Sequence, residues 1–515
     1  MATAVLGTFA SGLTATLVSP ALTSAEVAWV LQNSRPRVII TATACLAAMR
    51  EAMRMQDDAA YFDGVPVYTV DVVNETYPSS SSPSPSESDW KQLLTPPSKA
   101  AIKPPSHFDA PTRTAVILWS SGTSGRSKGV LLSHHTLNFA AASLWHDADY
   151  YSQAAQQQQR WIGFAPFYHV YGLLNLFLLA IPTGATVYTM QAFKLDGMLA
   201  AVASRRITYL HMAPPVAVML AKSPAVEPYA RRDAQGRNRF HSVVAGMTGG
   251  APLGHDIVTQ VQARLGFRIR LGYGLTEACS VTLQRGLGEA EMRAQGDNTG
   301  TPHWGVEVMI AAGEDGATGT KPAALGEPGE VLIRSQGLMM GYLPFGAMTP
   351  GAEPDMSSTA EALTPDGWFR TGDVGSLDAD GALCISDRIK ELIKVRGFQV
   401  PPAELEAILC SSDEVGDAGV VAVYDEGEAT EWPRAFVVAA GKTRRTDVEL
   451  RALAHRLREL VEKQTAKYKW LRGGIVFVDQ VPKSPSGKIL RRVMKNGGVK
   501  GVEVAVYEAK VRARI

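Results

Sequence analysis

Short apolar runs of strand length alternate with longer helical segments from residue 112 to about residue 345. Because a helix that crosses from one strand to the next returns the chain in the same direction, this alternation predicts parallel strands covered by layers of helices. We therefore predict an α/β fold with a large, multi-layered N-terminal domain of parallel-rich sheets. The strands expected in it are Trp161–Ala165, Thr186–Met190, Tyr209–Ala213, Phe240–Ala245 and Arg268–Leu271.

A smaller α+β C-terminal domain is predicted after the pattern changes near Asp387–Lys390, which gives domains at 1–388 and 389–515. The order helix, two strands, helix, strand is typical of a compact α+β domain. The expected elements are helices at Pro402–Leu409 and Asp447–Lys463, and strands at Ala418–Val423, Ala435–Ala439 and Gly474–Val478. In the large domain, the Ser- and Pro-rich run at 79–88 cannot form a packed core and is expected to be a flexible surface loop.

The composition is that of an ordinary globular chain, since 46% hydrophobic and 20% charged residues over 515 positions can bury a large core. A net charge of +1 gives no support for binding nucleic acid or a membrane surface. No apolar run has the length of a transmembrane span. The four cysteines form no C-x-x-C pair, which predicts a reducing compartment without a disulfide or zinc framework; they are Cys45, Cys279, Cys384 and Cys410.

The two ends of the sequence bear on localisation. No basic residue precedes Arg35, so a secretory signal peptide is not expected. The final Ala513–Ile515 is a weak form of the small–basic–aliphatic tail that directs import into peroxisomes. We expect a cytoplasmic or peroxisomal protein, and the sequence leaves the oligomeric state open.

A run of hydroxyls and glycines, Ser120–Gly129, follows the apolar segment Ala115–Trp119. Glycines allow backbone N–H groups to turn toward an anion, hydroxyls donate further hydrogen bonds, and Lys128 adds a charge, so the loop is predicted to hold phosphates. It departs from the Walker pattern, because Ser127 and Gly129 stand where that pattern requires Gly and Ser or Thr. The alternative is a Ser/Gly-rich surface turn.

Six further motifs follow in a fixed order, and each is weak evidence by itself. They are Phe164–Gly172, Thr248–Leu253, Leu271–Glu277, Trp368–Asp373, Ser386–Val400 and Pro485–Lys488. Together with the hydroxyl–glycine loop they are highly specific. The chain resembles the adenylate-forming superfamily of acyl-CoA synthetases, firefly luciferases and adenylation domains, and within it 4-coumarate–CoA-ligase-like enzymes, from about residue 5 to residue 492.

The resemblance implies a reaction in two steps. A carboxylate attacks the α-phosphate of ATP to give an acyl-adenylate and pyrophosphate, and the thiol of coenzyme A then displaces AMP. The implied cofactors are ATP, Mg²⁺ and coenzyme A. An anionic nucleophile must approach an anionic polyphosphate, so such a site needs hydrogen-bond donors, a divalent cation and a mobile lysine. The acid is aromatic or fatty, and the sequence does not choose between them.

The resemblance also implies roles for residues around the nucleotide. The α-phosphate is expected at Thr276 and Mg²⁺ at Glu277, for which the alternative is a solvated carboxylate. Outside the motifs, Asp373 and Arg388 would count as ordinary surface residues. The nucleotide-binding set comprises Ser121, Gly122, Thr123, Ser124, Gly125 and Lys128 at the β- and γ-phosphates, Gly250, Ala251, Pro252, Gly272 and Tyr273 around adenine, and Asp373 and Arg388 at the ribose.

Two lysines at opposite ends of the small domain imply a moving part. Lys488 resembles the lysine that acts in adenylation, and Lys390 resembles the hinge residue. After rotation a hairpin would replace Lys488 at the site, with Lys394 and Gln399 contacting the adenylate and with Arg396 and Gly397 on the path of coenzyme A. The alternatives are an exposed lysine in a basic tail and a solvated basic turn.

His169 is expected at the end of a strand, among aromatic side chains, and the resemblance implies that its N–H stabilises charge beside the acyl carboxylate and the α-phosphate. Tyr171 is expected on the same face if the strand continues, lining the acyl pocket. For both residues the alternative is an ordinary place in the core.

Two departures from the family pattern remain. Leu271 stands where many relatives have Gln. Relatives also carry roughly eighty further residues before Leu6, a domain-sized segment that contributes strands and part of the acyl pocket. The sequence therefore leaves open three other interpretations: an enzyme that loads a separate carrier protein, a luciferase-like oxidation of the adenylate, and an inactive nucleotide-binding remnant.

Overall fold

The structure is a computed structural model. It describes residues 2–70, 88–89, 93, 108–120, 127–146, 158–312, 321–344, 356–388, 391–396, 398–426, 428, 430–441, 445–484 and 487–507. The expected Ser- and Pro-rich loop lies outside these residues except for Ser88, which is in a two-residue strand. The C-terminal tail with Ala513–Ile515 also lies outside them.

The helices of the described residues are given in chain order. They are α1 (Ala2–Ala10), α2 (Ser24–Ser34), α3 (Leu46–Arg54), α4 (Ala59–Asp63), α5 (His134–Trp145), α6 (Val170–Gly172), α7 (Ala180–Thr183), α8 (Leu195–Arg205), α9 (Pro214–Lys222), α10 (Glu227–Ala230), α11 (His255–Leu265), α12 (Glu289–Gln295), α13 (Ser357–Ala362), α14 (Pro402–Ser411), α15 (Asp447–Gln464) and α16 (Arg491–Lys495). Leu173–Leu178 is π-helical, and short 3₁₀ turns lie at Thr43–Cys45, Pro224–Val226 and Lys467–Lys469.

The strands are likewise given in chain order. They are β1 (Ala15–Leu17), β2 (Ile39–Ala42), β3 (Val67–Val70), β4 (Ser88–Asp89), β5 (Thr114–Ser120), β6 (Lys128–Ser133), β7 (Arg160–Gly163), β8 (Thr186–Thr189), β9 (Tyr209–Met212), β10 (Ala245–Thr248), β11 (Arg268–Leu275), β12 (Cys279–Leu283), β13 (Thr301–Pro302), β14 (Val306–Ala311), β15 (Gly329–Ser335), β16 (Gly341–Tyr342), β17 (Phe369–Leu377), β18 (Leu383–Arg388), β19 (Ile393–Val395), β20 (Phe398–Val400), β21 (Val415–Asp425), β22 (Thr430–Ala439), β23 (Ile475–Phe477) and β24 (Val502–Val504).

The first of two units comprises Met1–Ala140, Phe167–Val170 and Gln336–Gly367. It contains a four-stranded sheet in the order β1-β5-β6-β16 and a three-stranded parallel sheet in the order β2-β3-β4. β5 and β6 pair antiparallel, so Ser120 lies opposite Lys128 at the mouth of the hydroxyl–glycine loop. The Ser133 hydroxyl accepts a hydrogen bond from the backbone N–H of Thr136, so Ser133 caps the start of α5.

The second unit comprises Ala141–Pro166, Tyr171–Ser335 and Trp368–Ile515, and a seven-stranded sheet forms its largest layer. The strand order is β13-β12-β11-β10-β9-β7-β8. Strands β7 to β11 pair in parallel, and β12 and β13 pair antiparallel at one edge. Three helices, α8, α9 and α11, connect parallel strands and bury Leu199, Leu220 and Val261 in one apolar cluster with the sheet. The predicted α/β layering with parallel strands is confirmed.

An antiparallel sheet in the order β14-β15-β17-β18 precedes a smaller α+β body in the same unit. That body contains the hairpin β19–β20 and the sheet β21-β22-β23-β24. Leu405 from α14 and Leu453 from α15 are fully buried in its core. A Thr446–Glu449 capping box begins α15, which explains why the long helix starts there. The predicted smaller α+β domain at the C-terminal end is confirmed.

Two local predictions are wrong. Residues 240–244 form no strand, because Asn238 holds a turn in which its side chain accepts from the N–H of Phe240, and β10 begins only at Ala245. Strand β7 ends at Gly163, so His169 lies in a turn beyond it and Tyr171 is in helix α6. The alternating geometry of a strand therefore does not relate His169 to Tyr171.

One face of the large sheet buries polar side chains. His211 in β9 and Arg270 in β11 are both paired with Met247 of β10, so they lie in one row across the sheet. Tyr209 precedes His211 by two residues in β9, and its hydroxyl accepts two hydrogen bonds from the Arg270 guanidinium. Among the described residues, neither ring nitrogen of His211 has a hydrogen-bond partner. Burial, with a smaller contribution from Arg270, lowers the pKa of His211 to about 3. His211 is therefore neutral at physiological pH.

The folded protein does not protonate His211 above about pH 3. The unfolded chain does so below the ordinary histidine pKa of 6.5, so between these two pH values only the unfolded chain binds this proton. Lowering the pH through this window therefore favours unfolding. His211 alone is expected to remove about 2 kcal/mol of unfolding free energy between about pH 7 and pH 5. In His211→Phe that part of the pH dependence disappears.

Urea unfolding at several pH values measures this difference. His455, which is exposed on α15, gives the control variant His455→Gln, whose pH dependence matches that of wild type. Equal slopes for wild type and His211→Phe would contradict the expectation.

Candidate active site

Three side chains, from β11, β17 and β18, form a cluster around a buried carboxylate in the second unit. The Tyr273 hydroxyl donates to one carboxylate oxygen of Asp373 at 2.5 Å. The other oxygen of Asp373 is 3.1 Å from Nε of Arg388. Asp373 is only 3% exposed, so these two partners replace the water that its carboxylate loses. The structure thus brings together three of the predicted nucleotide-binding residues.

The strands explain this convergence. Asp373 in β17 lies directly opposite Arg388 in β18, which places the two side chains side by side. The Thr371 hydroxyl accepts from the N–H of Asp373, and the Glu330 carboxylate accepts from Gly372 and from Arg370. The backbone around Asp373 is therefore fixed from β15 as well as from its own strand.

The electrostatics of the cluster reflect its burial. Burial raises the pKa of Asp373 above its usual value, and the charge of Arg388 and the Tyr273 hydroxyl oppose that rise. Burial and the neighbouring Asp373 raise the pKa of Tyr273 well above 10, so its hydroxyl stays protonated and donates. Arg388 also lies within the electrostatic reach of Glu277.

Lys488, in the C-terminal body, lies within electrostatic reach of this cluster. Burial, followed by the charge of Arg388, lowers the pKa of Lys488, while Glu391 and Asp373 oppose that shift. Its backbone is held in a turn, because the N–H of Lys488 donates to the Ser484 hydroxyl and its carbonyl accepts from the N–H of Ser484. The predicted adenylation lysine thus shares one charged environment with the predicted ribose-binding pair.

Thr276 and Glu277 lie in the turn that joins β11 to β12. The turn closes with Cys279, which has a φ of 57° in the left-handed region that non-glycine residues adopt rarely. Burial raises the pKa of the Cys279 thiol to about 12, so it remains protonated. A tight, strained turn of this kind holds the backbone of Glu277 in one position.

The turn after β10 lies close to β11. A Cβ atom at Gly249 would be 2.9 Å from the carbonyl oxygen of Gly272, a separation that only glycine permits. Gly250 follows with a φ of 84°. The predicted segment Gly250–Pro252 therefore begins beside the strand that carries Tyr273.

Tyr171 and His169 are both partly buried. The Tyr171 hydroxyl donates to the carbonyl oxygens of Met212 and Met247 at the ends of β9 and β10. The next residue, Gly172, packs closely on Pro166, since a Cβ at Gly172 would lie 2.2 Å from the Pro166 carbonyl oxygen. Burial lowers the pKa of His169, which favours the neutral imidazole.

The structure describes one of the predicted phosphate-binding residues in the first unit. The ammonium of Lys128 lies 4.7 Å from the centroid of the Tyr342 ring, and the indole of Trp29 donates to the carbonyl of the adjacent Ser127. The remaining members, Ser121, Gly122, Thr123, Ser124 and Gly125, lie outside the described residues.

The hairpin β19–β20 faces acidic residues of the C-terminal body. The backbone N–H of Lys394 donates to Glu431, and the Arg396 guanidinium pairs with Glu428. Lys390, Gly397 and the side chain of Gln399 lie outside the described residues. In this arrangement Lys488, and not the described part of the hairpin, shares the environment of Asp373.

Sequence reasoning missed several residues around the site. Thr371 and Glu391 lie inside the motifs Trp368–Asp373 and Ser386–Val400, and their place in these motifs could have signalled them. The guanidinium groups of Arg396 and Arg472 lie 5.4 and 4.7 Å from the centroid of the Trp432 ring in the C-terminal body, contacts that no local pattern signals.

Comparisons with known proteins agree with the fold and its two parts. A model of the AMP-binding enzyme family matches residues 1–343, and a model of the AMP-binding enzyme C-terminal domain matches residues 404–488. Over 96% of its length, the chain is 31% identical to 4-coumarate–CoA ligase 1 of Solanum tuberosum and covers 81% of that protein. It is 34% identical to Probable 4-coumarate–CoA ligase 3 of Dictyostelium discoideum, a match that spans 76% of this chain and 64% of that protein.

The fold also matches ATP-bound MatB from Rhodopseudomonas palustris, with a TM-score of 0.75 and 22% identity over 96% of this chain and 86% of that one. Fold and sequence thus define an adenylate-forming enzyme. The chain belongs to the AMP-binding enzyme family. The predicted class, an AMP-forming acid–thiol ligase similar to 4-coumarate–CoA ligases, is confirmed at the level of the family. No helix among the described residues has the length and apolar character needed to cross a membrane.

Gly487 fixes the turn that carries Lys488. It has a φ of 88°, and a Cβ there would lie 2.9 Å from Cδ of Pro215 at the start of α9. Gly487→Ala is therefore expected to push the turn away from α9 and expose Lys488. The readout is the rate of acetylation of Lys488 by acetic anhydride, measured by mass spectrometry, and we expect it to rise several-fold.

The matched control is Gly497→Ala. Gly497 has a similar φ of 71° but has open space around its Cβ position. Both variants carry a backbone cost of roughly 1 kcal/mol, and only the first carries the clash. An unchanged acetylation rate in Gly487→Ala would show that Pro215 does not confine the turn.

Proposed function

We propose that the protein activates a carboxylic acid as an acyl-adenylate and transfers the acyl group to coenzyme A. The observation that carries this proposal is the cluster of Tyr273, Asp373 and Arg388 around a buried carboxylate, which has Lys488 within its electrostatic reach. A buried carboxylate held by a guanidinium is suited to accept hydrogen bonds from ribose hydroxyls. A partly buried lysine beside it is suited to neutralise an α-phosphate.

The nucleotide is bound by the predicted set of residues in this proposal. Asp373 accepts the two ribose hydroxyls and Arg388 keeps that carboxylate ionised. The Tyr273 ring stacks on adenine, with Gly250–Pro252 on the other side. The loop with Ser121, Gly122, Thr123, Ser124, Gly125 and Lys128 holds the β- and γ-phosphates through backbone and side-chain donors.

In the first half-reaction the acid oxygen attacks the α-phosphorus and the bond to pyrophosphate breaks. Lys488 offsets the negative charges of the carboxylate and the α-phosphate as they approach. Thr276 donates to the α-phosphate, and the neutral imidazole of His169 donates its N–H to the developing charge. Tyr171 contributes to the acyl pocket, and the acid is aromatic or fatty.

Mg²⁺ fits the donor set as a cation held by one carboxylate together with substrate phosphates. Glu277 would supply that carboxylate, and the metal ion would screen the charge of the polyphosphate. The described residues contain no group of three carboxylate, imidazole or thiol side chains placed to hold a metal ion without the nucleotide.

The second half-reaction uses a rotated small domain. We place the domain boundary between residues 388 and 389, with Lys390 as the hinge. Rotation removes Lys488 and brings Lys394 and Gln399 to the adenylate, while Arg396 and Gly397 line the path of coenzyme A. The thiol sulfur then bonds to the acyl carbon and AMP leaves. Import into peroxisomes through Ala513–Ile515 stays a prediction.

The test is pyrophosphate exchange into ATP with a panel of aromatic and aliphatic acids, followed by AMP release on adding coenzyme A. We expect exchange with at least one acid and thiol-dependent AMP release with that acid. ATP binding without exchange for any acid would support an inactive remnant. Exchange without release by coenzyme A would support a carrier protein as the acceptor.

Lys488→Ala separates the two half-reactions. The variant is expected to lose roughly a hundredfold or more in exchange, because it lacks the charge that offsets two anions. It should thiolate a pre-made acyl-adenylate at close to the wild-type rate. Lys495→Ala, which removes an exposed lysine seven positions further on, is the control. Equal loss of both half-reactions in Lys488→Ala would contradict the rotation.

A further inference from the structure

Helix α9 contacts the C-terminal body at both of its ends. At its start, Pro215 lies against Gly487 in the turn that carries Lys488. At its end, the ammonium of Lys222 donates to the carbonyl oxygen of Cys410 at 2.8 Å. Cys410 belongs to the last turn of α14 in the C-terminal body.

The contact at Lys222 is electrostatically favourable. Carbonyl groups in the last turn of a helix have no partner within the helix, and they form the negative end of its dipole. An ammonium there makes a charge-assisted hydrogen bond, which is stronger than one between neutral groups. Burial, together with nearby Asp417, raises the pKa of the Cys410 thiol to about 12, so this side chain adds no charge of its own.

Another residue supplies the hydrogen bonds at the end of α9. Arg264 from α11 donates to the carbonyls of Leu220, Ala221 and Ser223 and so satisfies the end of α9 itself. Lys222 is therefore not needed to cap its own helix. Its side chain reaches instead across to α14.

The separation of the two contacts matters for a rotating domain. Nine residues of α-helix are about 13 Å long, so the contacts at Pro215 and Lys222 are well apart. One contact alone would leave the body free to pivot about it in any direction, and the second limits that motion to rotation about the line that joins the two contacts. A rotation that moves both the turn with Lys488 and the end of α14 away from α9 breaks both contacts.

We propose that Lys222 is a positioning residue for adenylation, an inference that rests on the proposed function. It holds the C-terminal body in the arrangement that places Lys488 beside Asp373 and Arg388. A bond made in one of two arrangements shifts the equilibrium between them toward that arrangement. Lys222 therefore favours the first half-reaction and opposes the rotation that the second one needs.

The test compares both half-reactions in Lys222→Met. With the acid that wild type accepts, pyrophosphate exchange is expected to fall about tenfold, since one charge-assisted bond no longer biases the equilibrium. Thiolation of the pre-made acyl-adenylate is expected to equal or exceed the wild-type rate. Lys222→Arg keeps a donor and is expected to recover most of the exchange.

The charge-matched control is Lys463→Met, which removes an exposed lysine of α15 and is expected to behave as wild type. If Lys222→Met exchanged pyrophosphate as fast as wild type, the proposal would be overturned. Equal loss of both half-reactions with a lower melting temperature would overturn it too, because Lys222 would then support α9 alone.

Hydrogen–deuterium exchange of residues 481–490 gives a second readout that does not require activity. Lys222→Met is expected to speed backbone exchange in this segment, because the turn leaves Pro215 more often. Unchanged exchange there would count against the proposal even if no acid were accepted. A wild-type protein inactive with every acid would refute the proposed function, while this readout would still decide whether Lys222 holds the C-terminal body.

Discussion

The buried carboxylate of Asp373 is the constraint on which the rest of the site depends. A carboxylate removed from water is costly unless charge and hydrogen bonds replace its hydration. Arg388 supplies the charge across the β17–β18 pair, and the Tyr273 hydroxyl supplies a donor from the neighbouring sheet. These partners occupy part of the capacity of the carboxylate and leave it a strong acceptor for a further pair of hydroxyls. Strands β17 and β18 of the antiparallel sheet and strand β11 of the large sheet supply these residues.

The proposed rotation imposes the opposite requirement on the C-terminal body. In that proposal Lys488 must lose water to act strongly on phosphate, yet it must also leave. Its turn is held by small, separate contacts, of Gly487 on Pro215 and of Lys222 on the end of α14. Contacts of this size stabilise one arrangement without making it permanent. The apolar core of the body, around Leu405 and Leu453, is internal, so the proposed rotation would leave it unchanged.

Much of this organisation could be read from the sequence. Alternating apolar runs predicted the parallel strands, and the motifs after them predicted that Tyr273, Asp373, Arg388 and Lys488 meet. Periodicity failed where local polar chemistry decided the backbone, as at Asn238, whose turn delays β10 to Ala245. The contact of Lys222 with Cys410 joins residues 188 positions apart, and nothing in either local segment signals it. Long-range contacts of this kind depend on how whole layers pack, which a single sequence does not show.

The most direct test of the central claim compares binding of ATP and of 2′,3′-dideoxy-ATP by wild type and by Asp373→Asn, using isothermal titration calorimetry. If Asp373 accepts the ribose hydroxyls, wild type should bind ATP at least about tenfold more tightly than the dideoxy analogue. The variant should bind the two nucleotides nearly alike. Asp366→Asn, at an exposed position seven residues earlier, should discriminate as wild type does. Full discrimination by Asp373→Asn would show that the buried carboxylate does not hold the sugar.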